Sequence, residues 1–364
     1  MEAKYYVQEK KKLQSIIIFY FEDDCKGQEN LVELCNIIET QDFLKNHEEY
    51  EIFLRLLNKI SKNHQRNPDF FNKIEQIIDY LKPSIIEIFS NTEIFNIFKK
   101  NKLILLLLFS KKIMTIDSNI FHYFSQSIEN IHYFYPEIKP FLKQDAIDFI
   151  EKKFSQIDEN IFVNFDKKRQ IGENDSYICE LIRNDSVKEF ISYVNRTNLP
   201  LSSSIQSSFF ETNPFLIKKD SISLIEYAAF FGAIQIFQYL HINKAKLKPD
   251  LWLYAIHGKN GEIIHLLEEN KIKPSQFNVC FAEAIKCHHN EIASYIQSTY
   301  FNENEKANCE DIYRYFNFEF IQDELNGSFD FSYLCKYNYI TLVKLLLNTK
   351  GEQILNNNLQ IQIF

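Results

Sequence analysis

The side chains best suited to chemistry are the consecutive Cys287, His288 and His289, the one place along the chain where thiol and imidazole groups cluster. Both are zinc ligands, but structural zinc sites draw them from spaced pairs such as C-x-x-C or H-x-x-x-H. The next cysteine, Cys280, is seven residues away and completes no such pair. The segment GKNGE, with Gly258 and Gly261, is the closest approach to a phosphate-binding loop. It has neither a strand before it nor a Ser or Thr after the lysine, so no phosphate cradle can be built. No G-x-S-x-G and no H-E-x-x-H occurs. A Cys–His pair that meets only in space would leave no such motif. On these grounds the chain is expected to be non-catalytic, with no metal, no cofactor and no small-molecule ligand.

The elements that hold these residues are better marked. In Ser223–Leu240, SLIEYAAFFGAIQIFQYL, Ser223 reads as an N-cap and Glu226 completes a capping box. A short helix follows with small Ala228 and Ala229. Gly232 ends it, because the left-handed conformation is cheapest without a Cβ. A second helix carries Ile236, Tyr239 and Leu240 at helical spacing. The layout returns at 252–267, 281–296 and 331–347, with Ala255, Ala284 and then Leu334 or Cys335 at the small position. Ala228 to Ala255 is 27 residues and Ala255 to Ala284 is 29; Leu240, Leu267 and Ile296 keep the same intervals. Both helices shift together, so the period belongs to a two-helix unit, the signature of a solenoid. In this frame His288 and His289 fill the turn slots of a repeat.

SLIEYAAFFGAIQIFQYL and FSYLCKYNYITLVKLLL resemble the ankyrin pattern T-P-L-H-x-A-A-x-x-G-H-x-x-I-V-x-x-L-L. The match runs through Ala228, Ala229, Gly232, Ile236 and Leu240 in the first, and Val343, Leu345 and Leu346 in the last. The Thr-Pro-Leu-His opening is absent from every copy, and the period falls short of the usual ~33. With ICELIRNDSVKEFISYVN and the run leading into Ser223, the chain is similar to the large group of ankyrin-repeat proteins expanded in trichomonad-type parasitic protists. There a helical N-terminal domain of unknown function precedes degenerate repeats. The resemblance implies an all-α fold, an N-terminal helical bundle or irregular solenoid followed by an ankyrin-like solenoid, and no established activity.

Composition bounds the rest. The 364 residues carry a net charge of −8, with 34 Phe and 20 Tyr but only 7 Gly and 8 Pro. Few breakers imply helices with short joints. A chain without a Lys/Arg stripe lacks the phosphate-neutralising surface that nucleic acid requires. Seven cysteines, odd in number and without C-x-x-C, suit free thiols in a reducing cytoplasm. The most apolar run, Leu103–Phe109, is far short of the ~20 residues of a membrane span, and the N-terminus has no signal-peptide pattern.

Residues 1–155 read as a helical domain of about eight helices, with one face of the first formed by Leu13, Ile16, Ile17 and Tyr20. A helix is expected to start at Asn67-Pro68 and to stop at Pro83, the next to be capped by Asn91, and 103–113 to form the centre. The last carries Ile138, Phe141, Leu142, Ile150 and Phe154. Residues 156–173 read as a polar connector and 174–349 as degenerate repeats, the first at Tyr177–Val194. Insertions fall at 196–222, whose Phe209, Phe210, Phe215 and Leu216 dock on a neighbouring repeat, and at 297–330, with a decayed repeat near Ile312–Ile321. Gly351 caps the last helix, and 350–364 form a tail ending on apolar residues.

Ankyrin-type repeats meet partners at loop tips and at the two positions after the Ala-Ala pair. The residues there mark an expected protein-binding face: Phe230, Phe231, His257, Lys286, Lys336 and Tyr337, with the two phenylalanines either as aromatic anchors or packed under the 196–222 insertion or against residues 1–155. The expected function is a protein-binding scaffold or adaptor, its partner a protein of unknown identity. The alternatives are an adaptor whose N-terminal domain recruits other machinery, and an enzyme with an unrecognised site.

Overall fold

The computed structural model describes residues 2–22, 27–40, 46–64, 68–157, 162–301, 310–324 and 331–348. The expected cap at Gly351 and the tail lie outside them. The described chain is all-α apart from one two-residue hairpin. The helices are α1 (Glu2–Glu22), α2 (Gly27–Thr40), α3 (His47–Asn63), α4 (Phe70–Ile88), α5 (Asn91–Phe98), α6 (Lys102–Ser110), α7 (Ser118–Ser125), α8 (Ile128–Tyr133), α9 (Tyr135–Ile138), α10 (Gln144–Ile157), α11 (Phe165–Ile171), α12 (Tyr177–Arg183), α13 (Val187–Thr197), α14 (Pro214–Ile217), α15 (Leu224–Phe230), α16 (Ile234–Ile242), α17 (Leu251–His257), α18 (Gly261–Glu269), α19 (Phe277–Cys287), α20 (Asn290–Tyr300), α21 (Glu310–Arg314), α22 (Phe318–Glu324), α23 (Phe331–Lys336) and α24 (340–348). None of the helices in the described residues is long and apolar enough to cross a membrane.

Packing groups these helices into two compact units, residues 1–67 with 249–364, and residues 68–248. That division crosses the one drawn from the sequence, which kept 1–155 together. In the first unit α1 packs on α2, α3 and α22, and α3 packs on α19. The buried face of α1 carries Leu13, Ile17, Tyr20 and Phe21. Gln14, not the expected Ile16, completes it, because its amide has buried partners. Its Oε1 accepts the Phe318 N–H at 2.7 Å and its Nε2 donates to Asn317 Oδ1 at 3.3 Å. Gln14 thus caps the N-terminus of α22, filling a valence the helix cannot fill itself.

The second unit is centred on α6, whose Leu103–Leu108 are all buried, as the unbroken apolar run implies. Three local expectations are corrected here. Helix α4 starts at Phe70 and runs through Pro83. Pro83 faces solvent, so water can replace the bond that the Asp79 carbonyl loses. Ser90, not Asn91, caps α5 in a capping box with Glu93, while Asn91 exchanges two bonds with Thr115. The supposed connector 156–173 contains α11, whose Arg169 is buried and bonded to the Tyr133 carbonyl and to Glu137 and Asp166.

Glycine at 172 is required. Its φ is +68°, and a Cβ would lie 2.6 Å from a Leu103 methyl. Thr212 of the 196–222 insertion donates its backbone N–H (3.0 Å) and hydroxyl (2.8 Å) to the Gly172 carbonyl. The insertion docks at two places. Phe209 and Phe210 join an aromatic cluster of Tyr135, Phe154 and Phe165 from α9–α11, and Phe215 stacks on Phe230 at 5.8 Å. Only the second is the neighbouring repeat that the sequence indicated. The hairpin pairs β1 (Ser204–Ile205) with β2 (Ile222–Ser223), antiparallel.

Candidate functional site: the turn face of the helix pairs

Six helix pairs share one backbone device. Counting from the small or apolar residue on the first helix, the fourth residue onward has positive φ: Asp185 after Leu181, Gly232 after Ala228, Lys259 after Ala255, His288 after Ala284, Phe316 after Ile312 and Asn338 after Leu334. In five of the six the next N–H closes back on that residue's carbonyl, at 2.9–3.0 Å: Ser186 to Leu181, Ala233 to Ala228, His289 to Ala284, Asn317 to Ile312 and Tyr339 to Leu334. This is the six-to-one bond of a Schellman cap. Ser223 and Glu226 form the expected capping box, and Gly232 (φ +66°) and His288 (φ +58°) occupy the expected turn slot. In the second unit, Asp185 reaches from its turn to accept the N–H groups of Gln235 and Ile236 at the start of α16, both at 2.9 Å.

In the first unit the residue after the turn also joins one pair to the next. His289 Nδ1 donates to the Ile256 carbonyl at 2.7 Å, Asn317 Nδ2 to the Ile285 carbonyl at 3.2 Å, and the Tyr339 hydroxyl to the Tyr313 carbonyl at 2.8 Å. Each acceptor is one residue past the small position of the preceding pair. A carbonyl only accepts, so the His289 ring carries its proton on Nδ1.

This frame sets the side chains beside the turns. His257 ends α17, while Glu283 and Cys287 lie one helical turn apart on α19, which packs on α17. His257 Nε2 is 2.7 Å from Glu283 Oε1, and Cys287 Sγ is 3.4 Å from His257 Nδ1. Lys286 Nζ is 2.5 Å from the same Glu283 oxygen. Burial works against the Glu283 carboxylate, but the hydrogen bond and charge of His257, together with Lys286, hold it down to about 2. Burial pushes the Cys287 thiol well up, reinforced by Glu283.

Behind this cluster, His64 Nδ1 donates to the Cys287 carbonyl at 2.7 Å and Nε2 faces Glu22 at 2.8 Å. Burial opposes ionisation of Glu22, but His64 and Lys259 bring it down to about 2. The edge of the His64 ring meets the His289 ring at 4.7 Å. His288 is buried near the carbonyls of Phe316, Lys286 and Tyr315, none in hydrogen-bonding geometry, and desolvation lowers it to about 3. Burial likewise holds His289 well below its ordinary value.

The expected binding residues are distributed unequally. Phe230 is buried against Phe215, and Phe231 is half-buried against Tyr227 and Phe230, so neither stands free as an anchor. His257 is buried and engaged by Glu283, because the neighbouring helix supplies an acceptor. Lys286 is half-buried on Glu283. Lys336 is exposed and Tyr337 half-buried, and both reach back to Glu310, at 2.9 Å and 2.5 Å, where Arg314 also binds at 3.1 Å. The structure therefore makes two polar networks beside the turns, His257–Glu283–Lys286–Cys287 between α17 and α19 and Glu310–Arg314–Lys336–Tyr337 between α21 and the end of α23.

Sequence reasoning missed Glu283 and grouped Cys287 with the wrong histidines. The signal was the period itself, since adding 29 to Ala255 sets Glu283 and Cys287 on the helix that follows His257. Chemically, Cys287, His257 and Glu283 have the order of nucleophile, base and orienting carboxylate. A nucleophile must also meet its substrate, and Cys287 is 0% exposed with its thiol held protonated. The donor atoms of His257, Glu283 and Cys287 also lie within 4.8 Å of one another, close enough to hold a metal ion. Comparison of the chain with family models, with curated proteins and with solved structures returns no match.

Proposed function

We propose that the chain is a non-catalytic protein–protein interaction scaffold or adaptor of the cytoplasm, built on a degenerate ankyrin-like solenoid, with a protein as its partner. The observation that carries this is the repeated bond from turn to preceding pair through His289, Asn317 and Tyr339. Such a ladder stacks pairs in register, which is how solenoids build extended binding faces. The positions around each turn vary freely on this constant frame: Tyr254, His257 and Gly258, then Glu283, Lys286 and Cys287, then Tyr333, Lys336 and Tyr337. A constant frame with variable, polar and aromatic positions suits recognition of other proteins.

The buried, protonated state of Cys287 weighs against an enzyme. The packing of α1 and α3 on α22 and α19 weighs against residues 1–155 acting as an independent recruiting domain. The test is affinity capture with quantitative proteomics, comparing the intact chain with Lys336→Glu and with Lys152→Glu, an exposed lysine on α10 of the second unit. The scaffold reading expects a defined set of proteins lost with the first variant and kept with the second. Identical capture by all three baits would reject the turn face as the working surface.

A further inference from the structure

We propose that His257, Glu283 and Cys287 form a site for a divalent transition ion of zinc type. It would bind by displacing the Lys286 ammonium and the Cys287 thiol proton. This goes beyond the scaffold reading and does not depend on it. One donor comes from the end of α17, and two come from one face of α19, four residues apart. Two packed helices therefore fix all three.

The donor set is a mixed thiolate, imidazole and carboxylate, which zinc accepts, and three protein ligands with a fourth position for water is the pattern of open zinc sites. A tetrahedral ion with metal–sulfur near 2.3 Å and metal–nitrogen near 2.0 Å holds those two donors roughly 3.5 Å apart. Cys287 Sγ lies 3.4 Å from Nδ1 and 3.8 Å from Nε2 of His257. The His257–Glu283 separation of 2.7 Å is that of a hydrogen bond and would widen by roughly half an ångström as the ion takes Nε2, the neutral imidazole keeping its one proton on Nδ1.

Charge supports the exchange. Glu283 now holds a cation at 2.5 Å, the Lys286 ammonium, and the thiol beside it is neutral. With a divalent ion in place, thiolate and carboxylate balance the ion's two charges. Lys286, which already touches solvent, turns to water, and the thiol proton passes to solvent. Glu283 and Lys286 retain some solvent contact, with side chains 16% and 17% exposed, and give the ion its way in. Outer support is present as well, since the Cys287 carbonyl is fixed by His64.

The test uses the full chain, with cobalt(II) as the optical probe and zinc for X-ray absorption. The expected result is one cobalt per chain with a sulfur-to-cobalt charge-transfer band. That band should be absent from Cys287→Ser and unchanged in Cys335→Ser, which removes an exposed thiol. The zinc-loaded protein should show one sulfur among nitrogen and oxygen ligands. Lys286→Met should tighten zinc severalfold, because the competing cation is gone. That gain is readable even if Cys287→Ser fails to fold. A band that survives in folded Cys287→Ser, zinc with no sulfur neighbour or with two or more, or a Lys286→Met chain that binds no tighter than the intact one would each overturn the site.

Discussion

Acidification should weaken the first unit well before its carboxylates titrate, and the weakening should trace to His288 and His289. Both rings are buried and held neutral, His288 down to about 3 and His289 well below its ordinary value, chiefly by desolvation. A depressed folded pKa means that the unfolded chain binds protons which the folded chain refuses. The contribution is therefore complete above the unfolded value near 6.5 and is lost as pH falls below it. Each ring removes about 1.4 kcal/mol per pH unit in that range, so two rings remove up to about 5 kcal/mol between pH 6.5 and 4.5. Glu22 and Glu283, both lowered to about 2, lose their contribution only below about pH 4.5, where unfolded carboxylates begin to protonate. The upper window thus isolates the imidazoles. Trp252 is the single tryptophan, is buried, and lies in the same unit, so its fluorescence in urea reports this unfolding. The variant to compare is His289→Asn. Asn317 occupies the equivalent slot and reaches the equivalent carbonyl at 3.2 Å, so asparagine keeps the bond and removes the titration. The slope of stability against pH should fall by about 1.4 kcal/mol per unit in the variant. An unchanged slope would refute the assignment.

Other substitutions test the frame. Lys244 and Lys271 are exposed with φ of +67° and +58°; Lys→Gly at either site should stabilise by about 0.5 kcal/mol, seen as a higher urea midpoint, since relief of left-handed strain outweighs the added freedom of the unfolded chain. Gln14→Ala should cost about 1–3 kcal/mol in Trp252-detected unfolding by stranding the Phe318 N–H and the Asn317 amide, and a loss under about 0.5 kcal/mol would deny the cap its role. Arg169→Met should cost about 3–5 kcal/mol in the second unit, because Glu137 keeps its charge with its main partner removed; faster hydrogen exchange across α8–α11 is the readout. Phe154→Ala, at 0% exposure in the aromatic cluster, should cost about 3–5 kcal/mol by the same measurement.

Local chemistry was legible wherever one residue decides it. Ser223 and Glu226 announce a cap, Gly232 a left-handed turn, and the spacing of Ala228, Ala255 and Ala284 locates three helix pairs. The decayed pairs at 177–194 and near Ile312–Ile321 were also readable, from apolar spacing alone. What stayed hidden depends on partners supplied from afar. Phe316 takes the left-handed turn because the six-to-one bond from Asn317 to Ile312 imposes it, Lys259 takes the same turn, and neither residue type signals it. Gln14 reads as a surface residue until α22 offers it an N–H. The path of α4 through Pro83 rests on the accident of facing water. The His257–Glu283–Cys287 cluster spans two repeats and exists only at the register that the turns enforce, so no contiguous motif could show it.

The grouping of residues 1–67 with 249–364 also has a temporal side. A ribosome releases α1–α3 long before it makes α22 and α19, on which α1 and α3 pack. At about 5–20 residues per second, the 68–248 segment alone takes on the order of 10–40 s to emerge. During that interval the middle of the chain can complete its own interior, while the apolar face of α1, with Leu13, Ile17 and Tyr20, waits in water or with a chaperone. Birth order and folding order are therefore reversed for the amino-terminal helices. Among the described helices α1 is made before the others, yet it is among the last to complete its packing.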